Sequence, residues 1–152
     1  MQRYSVSGRN AATGAVADEP GAVLWNPSSA KIIYCREISG FTSSAVAWAL
    51  QLIRTSTRGT PGSTVTPDID NDRDRLRAPE SGALLDLALF TSTAPVVEGP
   101  PLARTHLGAV IGSAFALNLN PPIAIPAGTG LAIANVPATA GPTVDWTFVW
   151  EE

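Results

Sequence analysis

The sequence predicts an all-β fold, a single-domain, jelly-roll-like β-sandwich of about seven or eight short antiparallel strands. Its 152 residues are about the length of one domain, so one core has to serve the whole chain. The 13 Gly and 13 Pro residues leave little room for long helices. Short apolar segments rich in β-branched and aromatic residues recur between Gly and Pro turns, as in sandwiches.

The first part of the chain supplies three predicted strands. Residues 3–8 form the initial one, and residues 22–25 form a second that ends at an Asn-Pro-Ser-Ser turn signal. Residues 30–38 form the third, which is expected to lie close to the second in the sheet. Because residues 1–19 are polar and rich in Gly and Ala, they are also predicted to be an N-terminal arm, ahead of a sandwich domain at 20–152.

Residues 44–54 fit two different periods. A helix would place three apolar residues on one face: Val46, Leu50 and Ile53. A strand would align four: Val46, Trp48, Leu50 and Leu52. We favour the strand, because no N-cap residue followed by an acid precedes the segment and residues 55–57 extend a β-prone run.

A long loop is predicted at residues 58–82, inserted in the sandwich domain. At roughly 25 residues it exceeds ordinary connections, so we expect it to be functional or packed against a partner. Further strands are predicted at 83–90, 107–119 and 130–136.

The clearest strand signal is at residues 144–151, where apolar and polar residues alternate strictly. Its apolar face carries Trp146 and Trp150, which we assign either to the core or to a subunit interface. Trp25, just before a turn, is expected to be only partly covered. Together with Trp48 it would form the surface platform of a carbohydrate-binding module, if the chain were one.

Charge is scarce and unevenly placed. Charged residues make up 15% of the chain, against about 25% in an average domain. Between Arg104 and Asp145 lie forty residues without an Asp, Glu, Lys or Arg. A monomer has few ways to keep such a stretch hydrated, so we expect it to contribute to an interface.

Composition also excludes several classes of protein. With a pI of about 5.1 and a single lysine, Lys31, the chain offers no basic stripe for nucleic acid. No window of about 18 residues is continuously apolar, and the N-terminus lacks the apolar region of a signal peptide, so neither a membrane partner nor secretion is expected. The single cysteine, Cys35, excludes internal disulfides, and an inert buried thiol is the favoured interpretation.

No catalytic residue, cofactor or metal is expected. His106 is the only histidine, and neither a nucleophile elbow nor a phosphate-binding glycine loop is present. We interpret it as a partly solvated histidine at a strand edge. A glycosidase would need two carboxyl groups beside a sugar cleft, but the strand period points Asp145 and Glu151 away from the tryptophans. We therefore predict that the chain is not an enzyme.

The charged run from Asp68 to Asp74 has three interpretations. Its alternating oxygens resemble the opening of a calcium loop, but Arg73 stands where glycine is needed and Pro79 where a bidentate Glu is needed. A solvated loop with local Arg–carboxylate pairs is favoured. Alternatively, the segment pairs with its copy on another subunit. The candidate interface residues here are Asp70, Asp72, Arg73, Arg75 and Arg77.

Several segments together resemble small virion proteins of tailed double-stranded DNA bacteriophages, over most of the chain from about residue 20. They are Trp25-Asn26-Pro27-Ser28, Arg58-Gly59-Thr60-Pro61, residues 65–71, Pro79-Glu80-Ser81-Gly82, residues 125–133 and the closing Phe148-Val149-Trp150-Glu151-Glu152.

The resemblance implies a non-enzymatic jelly-roll building block on the virion, made in the host cytoplasm. Such a protein is most often a capsid decoration, or cement, protein that sits as a homotrimer on the head. Its partners would then be its own copies and the major capsid protein, and residues 1–19 would reach a neighbouring subunit or the lattice. Location at the neck, tail or fibre is one alternative, and a carbohydrate-binding receptor module is another.

Overall fold

In the computed structural model, which describes residues 2–69, 82–90 and 92–152, all regular secondary structure consists of β-strands. These residues form eleven strands: β1 Arg3–Arg9, β2 Pro20–Asn26, β3 Ile33–Thr42, β4 Trp48–Thr55, β5 Ser63–Val65, β6 Asp68–Ile69, β7 Leu84–Leu87, β8 Val97–Leu107, β9 Ala114–Ile125, β10 Thr129–Asn135 and β11 Val144–Glu151.

The strands form two antiparallel sheets that pack face to face. Sheet A has the order β6-β1-β11-β3-β9, and sheet B has the order β5-β7-β2-β10-β4-β8. Without β5, β6 and β7, the sheets reduce to β1-β11-β3-β9 and β2-β10-β4-β8, which is the strand order of a jelly roll. The predicted all-β sandwich is therefore confirmed, with short additional strands on the β1 and β2 side.

The core between the sheets is built on large aromatic side chains. Tyr4 stacks on Trp150 with 5.8 Å between ring centroids, and Trp48 meets Trp146 edge-on, also at 5.8 Å. Each of these four side chains is almost fully buried. Gly141 leaves room for the indole ring of Trp48, because a Cβ at position 141 would be 2.7 Å from the indole nitrogen.

The central strands β2 and β10 of sheet B are buried on both faces, which explains why they are apolar except for Asn26, Thr129 and Asn135 at their ends. On the face away from the main core, Val23, Ile53 and Ala132 form a second cluster. Ala88 and Phe90, which follow β7, belong to the same cluster. Trp25 is only 8% exposed, which corrects the expectation that it would be partly covered. Its ring lies over Gly130, where a Cβ would be 3.0 Å from the indole.

The predicted strands are largely present, with three differences. β2 and β3 do not lie close together in one sheet, because the connection between them crosses from sheet B to sheet A. The strand predicted at 107–119 is two strands, since β8 ends at Leu107 and β9 begins at Ala114. The segment 44–54 is a strand only from Trp48 onward.

The N-terminal segment differs from the predicted arm. β1 is an inner strand of sheet A, hydrogen-bonded to β6 on one side and β11 on the other. Residues beyond it are tied back to the sandwich, for example by the amide of Ala11, which donates to the carbonyl of Ala88 at 3.1 Å. In the predicted loop 58–82, β5 and β6 are short strands, and residues 70–81 lie outside the described residues.

Candidate functional site

Four chain connections meet at one end of the sandwich: 10–19, 43–47, 108–113 and 136–143. Backbone hydrogen bonds join them: the amide of Ser43 donates to the carbonyl of Thr143 at 3.1 Å, and the amide of Gly112 donates to the carbonyl of Thr42 at 2.8 Å. No charged residue occurs in 10–17, 43–47, 108–113 or 136–143. We refer to the segments 10–17, 43–47, 108–113 and 136–143 together as the uncharged end.

Apolar side chains project into solvent from the uncharged end. Val110 and Ile111, at the tip of the β8–β9 connection, are each 68% exposed, and Val16 and Val46 are also exposed. Single exposed apolar residues are normal on a protein surface, but a group of them on adjoining uncharged loops is typical of a contact surface.

Burial explains only one part of the forty-residue stretch without charge. Its β10 part is a central strand of sheet B with residues 130–135 buried, so charge is excluded there by the core. Residues 109–112 and 137–140 of the connections are exposed, and β9 alternates between exposed and half-buried residues, so the core does not explain the lack of charge there. The unexplained part of the deficit therefore lies at the uncharged end and along β9.

β9 is an edge strand of twelve residues at one side of sheet A, and it contains no charged residue. Edge strands expose unpaired backbone groups and are usually protected by charge, proline or bulges. Pro121 and Pro122 lie where the register with β3 breaks, so they protect only the second half. The half from Ala114 to Asn118 pairs regularly with β3 and has no such protection.

Asn135, at the end of β10, holds the connections of the uncharged end together from within. Its side-chain oxygen accepts hydrogen bonds from Trp48 Nε1 at 2.6 Å and from the hydroxyl of Thr13 at 3.0 Å. Its side-chain nitrogen donates to the carbonyls of Gly14 and Val16 at 3.0 and 2.9 Å. One buried amide therefore joins the β1–β2 connection to β4 and β10.

Asn10 makes a second buried link at the same end. Its side-chain oxygen accepts from the amide of Val144 at 2.8 Å and from Trp146 Nε1 at 2.9 Å. The hydroxyl of Thr13 also accepts from the amide of Gly141 at 2.7 Å. Networks in which each polar group has a partner rigidify their surroundings, so the β1–β2 and β10–β11 connections are pre-organised for contact.

The residues that could take part in catalysis do not meet at one site. His106 is exposed on β8, at the edge of sheet B, as predicted. Cys35 is fully buried, and burial raises the pKa of its thiol to about 12, which makes it inert. Asp145 and Glu151 pair with Arg9 and Arg36, away from the tryptophans as the strand period predicted.

Neither a metal-binding cluster nor a membrane-spanning helix occurs in the described ranges. They hold no group of three His, Cys, Asp or Glu side chains placed to bind a metal ion. They also contain no helix long and apolar enough to span a membrane.

The structure describes two of the seven predicted interface residues. Trp146 and Trp150 are buried within a single chain, so they belong to the core, and the interface alternative is wrong for their side chains. Trp48 is also buried and, like Trp25, cannot be a carbohydrate platform. The other five candidates, Asp70, Asp72, Arg73, Arg75 and Arg77, lie outside the described residues.

Sequence reasoning missed Val110 and Ile111, which were placed inside a predicted strand. Gly108 and Gly112 flank them, and Gly112 has a φ of 83°, a conformation that favours glycine. Glycines on both sides of two apolar residues are a turn signal that could have marked this connection.

Comparison with known proteins adds no relative: no family model, curated protein or solved structure matches this chain.

Proposed function

We propose that the chain is a non-enzymatic structural protein of a phage virion, a decoration protein that binds the capsid as a homotrimer and stabilises it. The uncharged end carries the proposal, because it exposes Val110 and Ile111 on a connection fastened by the Thr42 hydroxyl, which donates to the carbonyl of Val110 at 3.0 Å. Protein interfaces are depleted of charge at their centre and polar at their rim. Here Arg9, Asp18 and Asp145 border the uncharged segments. The sequence resemblance to virion proteins supports the same role.

In this proposal the uncharged end is the surface that meets the major capsid protein. Because Asn135 and Asn10 order the β1–β2 connection and Thr42 fastens the β8–β9 connection, few groups lose freedom on binding, which favours association. A protein that binds only the mature lattice stabilises it by mass action. A trimer multiplies contacts that are individually weak.

The unprotected half of β9 is the subunit contact in this proposal. It lies beside the uncharged end, because the connection 108–113 leads directly into it. A closed ring of identical subunits is a common way to cover an exposed sheet edge. The uncharged end of each subunit then remains free to contact the capsid lattice.

Replacing both Val110 and Ile111 with aspartate is expected to weaken binding to emptied heads of the encoding phage by at least about tenfold. The reason is that two carboxylates would lose their hydration in the contact. Both side chains are exposed, so the variant should fold and melt like the wild type. Co-sedimentation with the heads measures the binding.

Ile32→Asp provides the matched control. Ile32 is also exposed, but it lies in the β2–β3 connection at the opposite end of the sandwich. This variant should bind heads as the wild type does. Equal binding by Val110→Asp/Ile111→Asp and the wild type, or no binding by the wild type, would contradict the proposed decoration role.

A further inference from the structure

A second surface feature lies on the outer face of sheet A, where three adjacent strands align an aromatic ring, a carboxylate and a guanidinium. Phe41 of β3 pairs in register with Asp145 of β11, which pairs in register with Arg9 of β1. Phe41 is 49% exposed and is the one aromatic among the exposed large hydrophobic residues of the described ranges. Neighbouring strands are about 4.8 Å apart, so the three side chains form a short row.

The charged part of this row is fixed in position. Arg9 Nε donates to one oxygen of Asp145 at 2.8 Å, and Arg9 Nη2 donates to the other at 2.9 Å. This bidentate pair holds the two groups in one plane. It leaves further N–H donors on Arg9, and lone pairs on Asp145, that no neighbour in the row uses.

The next row along the strands is made of hydroxyl groups. The hydroxyls of Ser7 and Thr147 are hydrogen-bonded at 2.9 Å, and Ser39 follows in register on β3. Because these side chains are short, a shallow cavity of about 360 Å³ opens between Phe41 and Arg9. That volume is at the lower end of the range for small-molecule sites, roughly 300–1,000 Å³.

We propose that this cavity is a saccharide site, which takes one pyranose ring with equatorial hydroxyl groups. Such a ring has C–H groups on its faces and hydroxyls around its rim. The apolar face packs on the exposed Phe41 ring. Adjacent hydroxyls donate to Asp145 and accept from Arg9, whose fixed spacing matches two neighbouring oxygens.

The cavity is separate from Val110 and Ile111, the apolar side chains of the proposed capsid contact. It lies on the outer face of sheet A, whereas Val110 and Ile111 lie on the end loops. It adjoins the other proposed contacts, because Arg9 and Asp145 border the uncharged end and Phe41 pairs in register with Ala114 of β9. A single shallow site of this kind binds weakly, but several copies on one particle would bind a polysaccharide surface with much higher avidity. The proposal therefore gives the virion protein a second role, in weak attachment to glycans.

Titration of the isotope-labelled protein with methyl β-D-glucopyranoside, followed by NMR, tests the site. Amide shifts are expected to cluster at Phe41, Asp145 and Thr147. Phe41→Ala should weaken binding by roughly tenfold, and Phe41→Trp should tighten it, because indole offers a larger stacking face. Glycerol at the same concentration is the control for non-specific hydroxyl binding and should cause no clustered shifts.

Two further variants separate this proposal from the decoration role. Val110→Asp/Ile111→Asp should bind the glucoside as the wild type does, and Phe41→Ala should bind heads as the wild type does. The saccharide proposal is overturned if the shifts do not cluster at this cavity, if glycerol reproduces them, or if Phe41→Ala and Phe41→Trp titrate like the wild type.

Discussion

Replacing Arg58 with alanine is expected to lower the free energy of unfolding by about 3 kcal/mol. Arg58 holds Asp86, which is fully buried, through Nε at 2.7 Å and Nη2 at 2.9 Å. Without the guanidinium, the carboxylate keeps only the hydroxyl of Thr64, at 2.6 Å, and stays buried with its charge uncompensated. Arg58 is 37% exposed, so water can partly replace it, which places the loss at the lower end of the range of roughly 3–5 kcal/mol.

Urea unfolding of two matched variants measures this effect. Arg36→Ala removes an exposed pair with Glu151 and should cost less than about 1 kcal/mol. Arg58→Met/Asp86→Leu removes both charges and should recover most of the stability lost in Arg58→Ala. Equal free energies of unfolding for Arg58→Ala and Arg36→Ala would mean that the buried Arg58–Asp86 pair stabilises the fold no more than the exposed Arg36–Glu151 pair does.

Replacing Asn135 with alanine is expected to lower the free energy of unfolding by about 3 kcal/mol. The change leaves Trp48 Nε1 without its partner and frees the carbonyls of Gly14 and Val16. Because that amide holds the β1–β2 connection, hydrogen exchange in residues 13–18 should accelerate more than exchange in β11. Urea unfolding and residue-resolved hydrogen exchange measure the two effects.

Ser7→Ala serves as the control for Asn135→Ala. It also removes a side-chain hydrogen bond, to Thr147, but on the exposed face of sheet A. Its effect should stay within about 0.5 kcal/mol. A loss below about 1 kcal/mol in Asn135→Ala, or uniform acceleration of exchange, would mean that the network does not organise the uncharged end.

Strand identity was predictable where a local pattern is strong, and strand pairing was not. The alternation at 144–151 located β11 because one face of that strand is core and the other is solvent. Nothing local to β2 and β3 indicates that the chain changes sheet between them, since partners such as β10 come from distant residues. The expectation that β2 and β3 lie together therefore failed.

Burial of individual aromatic residues was predicted less well. Trp25 precedes a turn, but it is buried because Gly130, far along the chain, leaves room for the indole. The opposite error occurred at Val110 and Ile111, whose apolar side chains suggested a buried strand although they project from a turn. In both cases hydrophobicity was visible in the sequence, but the surroundings of the side chain were not.

The charge deficit was the most informative sequence feature for the candidate site. It located the uncharged end and β9, but it also included β10, whose lack of charge only reflects burial. The row of the proposed saccharide site could not be predicted, because Arg9, Phe41 and Asp145 come from three distant segments that meet only through the sheet register.

The most direct test of the central claim, that the chain forms a homotrimer whose subunits cover the unprotected half of β9, is the solution mass at micromolar concentration. Sedimentation equilibrium of the wild type should give three times 15.8 kDa. Ala116→Lys, which places a charge on the unprotected half of β9, should shift the mass toward the monomer. Ser7→Lys, in the same row of sheet A but on the inner strand β1, should remain a trimer. A wild-type mass of 15.8 kDa, or the same trimer for both lysine variants, would contradict the claim.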